Sequence, residues 1–219
     1  MPKQSLQALT FFHSLEEHQI DTLSSLSYIK RYSRGCILHY ENSISTKLLF
    51  LVKGLARAYK MDKHDNEIFL YHVYPGSLLS EISSLTDDTL LSYSNITIEE
   101  DSEILSVDYI GLKKHFLDSG LLHRQVAIET LRQAKQMQEI INREFILDSV
   151  SKVAMMLDRD LPMFNRLKRY DVSLMLHIQP ATLSRVLNRL KRDELIDNDR
   201  GKIIIKNAER LKSMYKELL

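Results

Sequence analysis

The sequence predicts an α+β protein in which an N-terminal antiparallel β-roll, jelly-roll-like in type, is joined by a long helix to a C-terminal helical module. Between residues 28 and 105, short β-branched and aromatic runs alternate with turn residues, which is typical of an antiparallel barrel or sandwich. After Asp108 the apolar spacing becomes helical, and only Gly111 and Gly120 precede Gly201. The net charge of +1 also divides unevenly: residues 1–162 carry 17 Lys and Arg against 22 Asp and Glu, whereas residues 163–219 carry 13 against 7. This polarity indicates a polyanionic partner for the C-terminal end alone.

Length and composition exclude several classes of protein. A chain of 219 residues is long enough for two modest domains with buried cores. Its longest apolar runs, Leu48 to Val52 and Val153 to Leu157, are five residues each, whereas a membrane helix needs roughly 18. The first twenty residues hold no apolar stretch of the kind that marks a signal peptide. The single cysteine rules out an internal disulfide, so we expect a cytoplasmic protein with no membrane partner, in which Cys36 is a small buried hydrophobe.

The N-terminal unit is predicted to begin with helices and to continue as strands. From Leu6 to Leu26, apolar residues recur every three to five positions, as in short amphipathic helices joined by a turn. Short runs of strand-forming residues follow, separated by turn signals such as Pro75-Gly76. The predicted strands are Cys36 to Tyr40, Leu48 to Val52, Leu55 to Lys60, Glu67 to Val73 and Asn95 to Ile98. We assign residues 1–108 to this β-roll, as a sensor domain.

A long helix is predicted from Leu121 to Glu144, and it carries a narrow seam. The seam residues recur at alternating spacings of four and three: Ala127, Leu131, Ala134, Gln138, Ile141 and Phe145. This heptad pattern is typical of a helix that packs against a copy of itself, but a helix lying on its own barrel would also account for it. We assign residues 109–146 to a dimerisation helix and hinge.

Residues 147–219 have the pattern of a winged helix-turn-helix. An apolar stripe from Ile146 to Leu157 predicts a first helix that Leu161-Pro162 ends. Two further helices are predicted to meet at the turn of residues 177–179, with Pro180 at the start of the second, where the missing N–H of proline costs nothing. Their inward positions are predicted to be Leu174, Leu176, Ile178, Leu183, Val186, Leu187 and Leu190. A hairpin with its turn at residues 198–201 then forms the wing.

The outward face of the second of these helices suits the major groove of DNA. Its first turn offers short polar groups and one arginine, Arg185, that can contact guanine O6 and N7, and its far end offers basic groups for phosphates. The predicted DNA-contacting residues are Gln179, Pro180, Ala181, Thr182, Ser184, Arg185, Asn188, Arg189 and Arg192, with Arg200 and Lys202 in the wing. The alternative, a helical pair and hairpin with no nucleic-acid role, fits the basic excess less well.

These motifs resemble the Crp/Fnr family of bacterial transcription regulators over residues 8 to 212. The run from Gln179 to Leu190 resembles that family's recognition helix, and Tyr74-Pro75-Gly76 resembles part of its cyclic-nucleotide-type β-roll. The resemblance implies a homodimer that binds a palindromic operator in double-stranded DNA, responds to an effector in the β-roll and contacts RNA polymerase. Ser184 is similar to the Fnr-like branch, so we place the chain closer to the Fnr and nitric-oxide-sensing branches than to the cAMP receptor protein.

The resemblance also implies roles for single residues of the reading helix. Arg185 resembles the arginine that reads guanine, and Thr182 resembles a phosphate contact. Ala181 departs from the pattern, since the family usually has a glutamate there that accepts a hydrogen bond from cytosine N4. Alanine has no such acceptor, so we expect weaker discrimination at one base pair of each half-site, by about 1–3 kcal/mol.

The effector pocket lacks the chemistry that a cyclic nucleotide needs. Family members that bind one hold its phosphate with a Gly-Glu pair and an arginine; here Gly76 and Glu81 are present, but residues 58–123 contain no arginine. Burying a phosphate without a cation is costly. In the long helix, Met137 and Gln138 stand where the cAMP receptor has a Thr-Ser pair. We therefore expect the effector not to be cAMP.

Cysteine and histidine usage constrains other effectors. An iron-sulfur cluster needs about four thiolates, which one cysteine cannot supply. Haem needs only one or two axial ligands, so haem and the sensing of nitric oxide or carbon monoxide stay open. The preferred candidate for an axial ligand is His72, which we include in the effector pocket. His39 and His123 are the next candidates. No other cofactor or metal site is expected.

Two alternatives from other classes stay open. One is a constitutive DNA-binding dimer whose β-roll is a structural spacer. The other is a cupin-like metalloenzyme, but the eight histidines form no His-x-His pair, and no phosphate-binding loop or hydrolase motif occurs. We therefore expect no enzymatic activity.

Overall fold

The computed structural model describes residues 2–216, and the chain forms two compact units, Met1–Gln133 and Ala134–Leu219. The division falls inside the long helix, between the boundaries that the sequence suggests at residues 108 and 146. Within the described residues, no helix is long and apolar enough to span a membrane. The antiparallel β-domain, the helices and the C-terminal helix-turn-helix confirm the predicted α+β class.

The first unit is an antiparallel roll covered by short helices. Its helices are α1 (Pro2–Ala8), α2 (Glu17–Ser25), α3 (Tyr109–Leu112) and the start of α4 (His123–Ile141). Its strands are β1 (Ser27–Tyr32), β2 (Ile37–His39), β3 (Ile44–Ser45), β4 (Lys47–Met61), β5 (Glu67–Val73), β6 (Leu90–Leu91) and β7 (Asn95–Asp108). The main sheet has the order β1-β7-β4-β5, β2 also pairs with β7, and β3 pairs with β6.

Two strands of this roll are longer than the sequence predicts. The strand β4 contains both predicted runs, Leu48 to Val52 and Leu55 to Lys60. Gly54 lies between them, where the pairing with β7 shifts register, and the strand continues through it. Gly54 has a φ of 100°, and a Cβ there would lie 2.8 Å from the Asp101 carbonyl oxygen, so only glycine fits. The partner strand β7 likewise continues past Ile98 to Asp108.

The core of the first unit lies between the sheet and its helices. Phe11, Phe12 and Phe50 pack together with ring centroids 5.1–5.4 Å apart, and all three side chains are buried. Burial of these aromatic groups fixes the short N-terminal helices against the roll. The expectation of a buried Cys36 is wrong: this residue is exposed, because it follows the left-handed Gly35 in the turn before β2.

The second unit is a winged helix-turn-helix. It contains the end of α4, followed by α5 (Ser149–Arg166), α6 (Arg169–Met175), α7 (Pro180–Arg192), β8 (Ile196–Asp199), β9 (Lys202–Ile205) and α8 (Ala208–Lys216). The long helix ends earlier than predicted, at Ile141, and the π-helical turn Asn142–Ile146 follows it. The sequence pattern contains no prediction for α8, whose Leu211 and Tyr215 side chains are buried.

Of two detailed predictions for the second unit, one is close to the structure and one is wrong. The predicted end of the first helix at Leu161-Pro162 lies next to a break in α5: Asp160 has non-helical dihedral angles (φ −146°, ψ 52°), and a second helical segment continues from there to Arg166. Proline tolerates this position because the bend precedes it. The predicted inward residue Leu174 is 53% exposed, and Val172 takes the buried position in α6 instead.

Candidate nucleic-acid interface and ligand pocket

Helix α7 divides into a buried stripe and an exposed reading face. Leu183, Val186 and Leu190 are buried, and Gln179 precedes the helix in an extended conformation with Pro180 as the first helical residue. The other predicted contact residues of this helix are exposed or half-buried: Ala181, Thr182, Ser184, Arg185, Asn188, Arg189 and Arg192. The structure therefore brings them together on one face.

The polar groups at the start of α7 bond to the helix itself. The Arg185 guanidinium donates from Nε to the Ala181 carbonyl oxygen at 3.3 Å and from Nη2 to Thr182 Oγ1 at 3.3 Å. The Ser184 hydroxyl donates to the Pro180 carbonyl oxygen at 3.1 Å. These neutral partners are weak competitors for an exposed guanidinium, so Arg185 is free to extend toward a base edge.

A groove of about 990 Å³ runs along this face between α7 and the start of α5. It is lined by Ser149, Val150, Thr182, Arg185, Val186, Asn188, Arg189, Lys191 and Arg192. Ser149 and Val150 are absent from the predicted set, because they are far from the reading helix in sequence and have no basic or amide group to signal contact. Four basic side chains in one groove provide an attractive surface for phosphate.

Two side chains from outside the hairpin hold the wing in place. Asn165 donates to the Ile203 carbonyl oxygen at 2.9 Å and accepts from the Ile203 backbone N–H at 2.8 Å. Arg169 donates to the Gly201 carbonyl oxygen at 3.3 Å. Neither residue was predicted to have a role. They leave Arg200, at the tip with a φ of 48°, and Lys202 exposed for phosphate contacts.

In the first unit, buried and half-buried polar groups surround Glu81. Its Oε1 accepts a hydrogen bond from Ser94 Oγ at 2.9 Å, whereas Oε2 is buried with no hydrogen-bond partner among the described residues. Burial, and then the Glu81 charge, raise the pKa of Tyr71 to about 12. Burial lowers the pKa of His39 against the opposing effect of Glu81, so this imidazole is neutral at pH 7. The groups around Glu81 therefore combine one carboxylate with a neutral phenol and a neutral imidazole.

An arginine from α4 reaches the same loop, and the sequence reasoning missed it. Arg132 Nη1 donates to Ser77 Oγ, next to Gly76, at 3.1 Å, and its Nη2 donates to Glu129 Oε1 at 2.7 Å. Residues 58–123 contain no arginine, and this cation comes instead from a later helix. Because Glu129 pairs with Arg132, this arginine offers a phosphate less charge than an unpaired cation would.

The structure does not bring His72 together with Glu81. Successive residues of a strand point to opposite faces, so His72 faces away from Tyr71 and its Glu81 environment. The His72 side chain is 5% exposed, and its Nε2 lies 3.1 Å from Glu99 Oε2. Met137 and Gln138 belong to the second unit, where Met137 is 67% exposed and Gln138 donates to Asn142.

The apolar residues of the α4 seam are exposed. Leu131 is 71% exposed, Ile141 is 47% exposed and Phe145, in the turn after the helix, is 81% exposed. The smaller or polar members, Ala127, Ala134 and Gln138, are also exposed. Large apolar side chains at heptad spacing that are open to water are typical of an unoccupied association surface.

Comparisons with known proteins agree with both units. Residues 29–118 match the cyclic nucleotide-binding domain family, and residues 151–214 match the Crp-like helix-turn-helix domain family. The chain is 24% identical over 212 residues to the cyclic AMP receptor protein of Thermus thermophilus, covering 93% of this chain and 95% of that protein.

Solved structures share the fold at low sequence identity. CooA from Carboxydothermus hydrogenoformans, in a mutant form, has a TM-score of 0.72 and 19% identity, covering 94% of each chain. FixK2 from Bradyrhizobium japonicum has a TM-score of 0.65 and 18% identity, covering 86% of this chain and 97% of that one. The matched families and similar proteins are transcription regulators rather than enzymes, which confirms the prediction of no enzymatic activity. With a cyclic nucleotide-binding type of domain followed by a Crp-like helix-turn-helix, the chain belongs to the Crp/Fnr family of DNA-binding transcription regulators.

Proposed function

We propose that the protein binds a two-fold symmetric operator as a homodimer and that a small molecule in its β-roll controls this binding. The observation that carries the proposal is that one chain has two exposed surfaces: the basic groove along α7 and the apolar seam of α4. Two copies joined along α4 would present two reading helices to successive major grooves, about 34 Å apart.

The seam is the natural dimer surface because exposure of its apolar side chains to water is unfavourable. Leu131, Ile141 and Phe145 recur at spacings that bring residues of a second helix into contact in a coiled coil. Burial of a leucine or phenylalanine side chain contributes about 1.5–3 kcal/mol, so a few such residues from each copy supply much of an association energy.

The effector we propose carries no phosphate. The Glu81 carboxylate would repel an anion, and its Oε2 has no donor among the described residues, so a ligand that donates a hydrogen bond suits it better. For haem, we propose His39 rather than His72 as the axial ligand. His72 Nε2 already lies against Glu99, whereas His39 is half-buried and neutral, and its buried Nδ1 has no hydrogen-bond partner among the described residues.

DNA selection and sedimentation test the DNA-binding proposal together. Selection of bound duplexes from a random pool is expected to recover a two-fold symmetric sequence, and the purified protein is expected to sediment as a dimer. Leu131→Glu places a charge in the seam and is expected to give a monomer with weak operator affinity. Gln136→Glu, on the same helix but outside the seam, is the matched control and is expected to stay dimeric. Asymmetric selected sites, or a Leu131→Glu dimer with full affinity, would overturn the proposal.

Spectroscopy and ligand titration test the effector. Absorbance and mass spectra of the purified protein reveal any retained ligand, and reconstitution with haem is expected to give a Soret band that shifts in His39→Ala but not in His72→Ala if haem binds. Cyclic AMP is expected to leave the unfolding temperature and operator affinity unchanged. High operator affinity that no ligand changes would favour the alternative of a constitutive dimer with a structural β-roll.

A further inference from the structure

One carboxylate, that of Glu144, joins three segments of the second unit. Glu144 lies in the π-helical turn Asn142–Ile146, directly after α4. Its Oε2 lies 2.7 Å from His177 Nδ1 and 3.5 Å from Lys152 Nζ, and its Oε1 accepts from Arg143 Nε at 2.7 Å. The chain leaving α4, the first turns of α5 and the turn of the helix-turn-helix therefore meet at this group.

His177 is the residue through which the turn of the helix-turn-helix reaches Glu144. It has a φ of 51°, a left-handed conformation that favours glycine or asparagine, and it lies three residues before Pro180 starts the reading helix. Its Nε2 is buried and has no hydrogen-bond partner among the described residues. The contact with Glu144 therefore fixes this ring from one side.

The charge on Glu144 is maintained by its neighbours. Burial raises the pKa of this carboxyl, but hydrogen bonds from His177 and Arg143 outweigh burial and lower the pKa to about 2. Arg143 and Lys152 have side chains only 12% and 9% exposed, so two cations already compensate the carboxylate. His177 is not needed to neutralise Glu144.

Glycine at position 177 would relieve the backbone strain of this turn and would leave no buried ring nitrogen unpartnered. A left-handed backbone is uncommon for a residue other than glycine, although histidine adopts it more readily than most, and an unpartnered buried ring nitrogen is unfavourable. Backbone strain that a surrounding contact maintains is a recurring feature of functional positions. The His177 side chain makes a hydrogen bond with Glu144, in the segment that follows α4.

We propose that Glu144 and His177 are positioning residues that fix the start of the reading helix α7 relative to the C-terminal end of α4. The contact sets the orientation of α7 toward a base edge. It does not set the affinity of the unit for DNA of any sequence. Because α4 carries the proposed dimer seam, the contact defines how each reading helix is held with respect to the dimer. This inference rests on the proposed operator-binding dimer.

Two substitutions of His177 in the full-length protein separate positioning from folding. His177→Gly removes the contact and relieves the left-handed strain, so the unfolding temperature is expected to stay within a few degrees. Its affinity for the selected operator is expected to fall about tenfold, while its affinity for a random duplex at the same salt changes less than about twofold. His177→Asn tolerates the left-handed backbone and supplies an amide donor to Glu144, so it is expected to recover most of the operator affinity.

Hydrogen exchange gives a second readout of the same contact. The Thr182 and Leu183 amides donate to the Gln179 carbonyl oxygen at 2.9 and 3.0 Å, and they form the first hydrogen bonds of α7. Their exchange is expected to accelerate in His177→Gly and to return in His177→Asn. Wild-type operator affinity in His177→Gly, or an equal loss for operator and random duplex, would overturn the inference. Failure of the wild-type protein to select an operator would instead overturn the proposed function.

Discussion

Introducing a glutamate at position 181 tests how the reading helix discriminates between bases. Ala181 is exposed in the first turn of α7, and its methyl group can accept no hydrogen bond. In Ala181→Glu the new carboxylate points toward the groove and can accept a hydrogen bond from cytosine N4. The same carboxylate lies one helical turn before Arg185, which already donates to the Ala181 carbonyl oxygen.

The expected gain comes from the base contact rather than from stability. One specific contact of this kind contributes about 1–3 kcal/mol of discrimination, which is about 5- to 150-fold at one base pair of each half-site. The exposed Glu–Arg pair contributes only about 0.3–0.5 kcal/mol, and a carboxylate in the first turn adds about 0.3–1 kcal/mol through the helix dipole. The unfolding temperature is therefore expected to change little, whereas base preference changes strongly.

Selection from a random DNA pool, with the wild type and the variant in parallel, measures this effect. The wild type is expected to show a weak preference at one position of each half-site, and Ala181→Glu is expected to impose cytosine there. Ala181→Gln is the matched control, since its amide favours adenine instead. A wild-type site that already has full cytosine preference at that position would refute the reasoning, as would a variant that leaves the selected sequence unchanged.

Three further predictions concern the wing, the roll and the turn after α4. Arg200→Ala is expected to weaken operator and random duplex alike and to reduce the salt dependence of binding by about one phosphate contact, measured by titration at several salt concentrations. Gly54→Ala is expected to lower the free energy of unfolding by more than about 2 kcal/mol in urea titrations, because its Cβ would meet the Asp101 carbonyl oxygen at a positive φ. Glu144→Gln is expected to lower the free energy of unfolding at pH 7, and this loss is expected to shrink as the pH falls from about 4.5 toward 2. The reason is that the contacts that lower the pKa of Glu144 stabilise the fold only while this carboxyl is ionised. Equal urea midpoints for the wild type and the variant at pH 7 would contradict this.

Local signals in the sequence predict the reading module well. Pro180, the apolar spacing of α7 and the turn before Lys202 each act within a few residues, so the pattern indicates the helix, its start and the wing without knowledge of the tertiary fold. The predicted strand Glu67 to Val73 likewise coincides with β5. The division of β4 into two runs is wrong because glycine usually interrupts a strand, whereas Gly54 here permits a close approach to β7.

Contacts between distant segments leave no comparable signal. Glu144 and His177 are separated by 33 residues, and neither has a neighbour in sequence that points to the other. Arg132 and Ser77 are separated by 55 residues and meet because α4 lies beside the loop after Gly76. Periodicity identifies which face of an element is buried, but it does not identify which polar groups meet beneath it, so these residues required coordinates.

An effector without a phosphate is expected from both the sequence and the structure, but for different physical reasons. From the sequence, an anion is disfavoured because no arginine lies in residues 58–123. In the structure an arginine is present, Arg132, and a count of cations alone would favour a phosphate. Its pairing with Glu129 weakens that attraction, and the nearby carboxylate of Glu81, with one oxygen unpartnered among the described residues, adds negative charge, which is why we propose an effector without a phosphate. Glu129→Gln would free the Arg132 charge, so this substitution is expected to make the roll more receptive to an anion such as cyclic AMP, measured as a ligand-dependent rise in unfolding temperature that the wild type lacks.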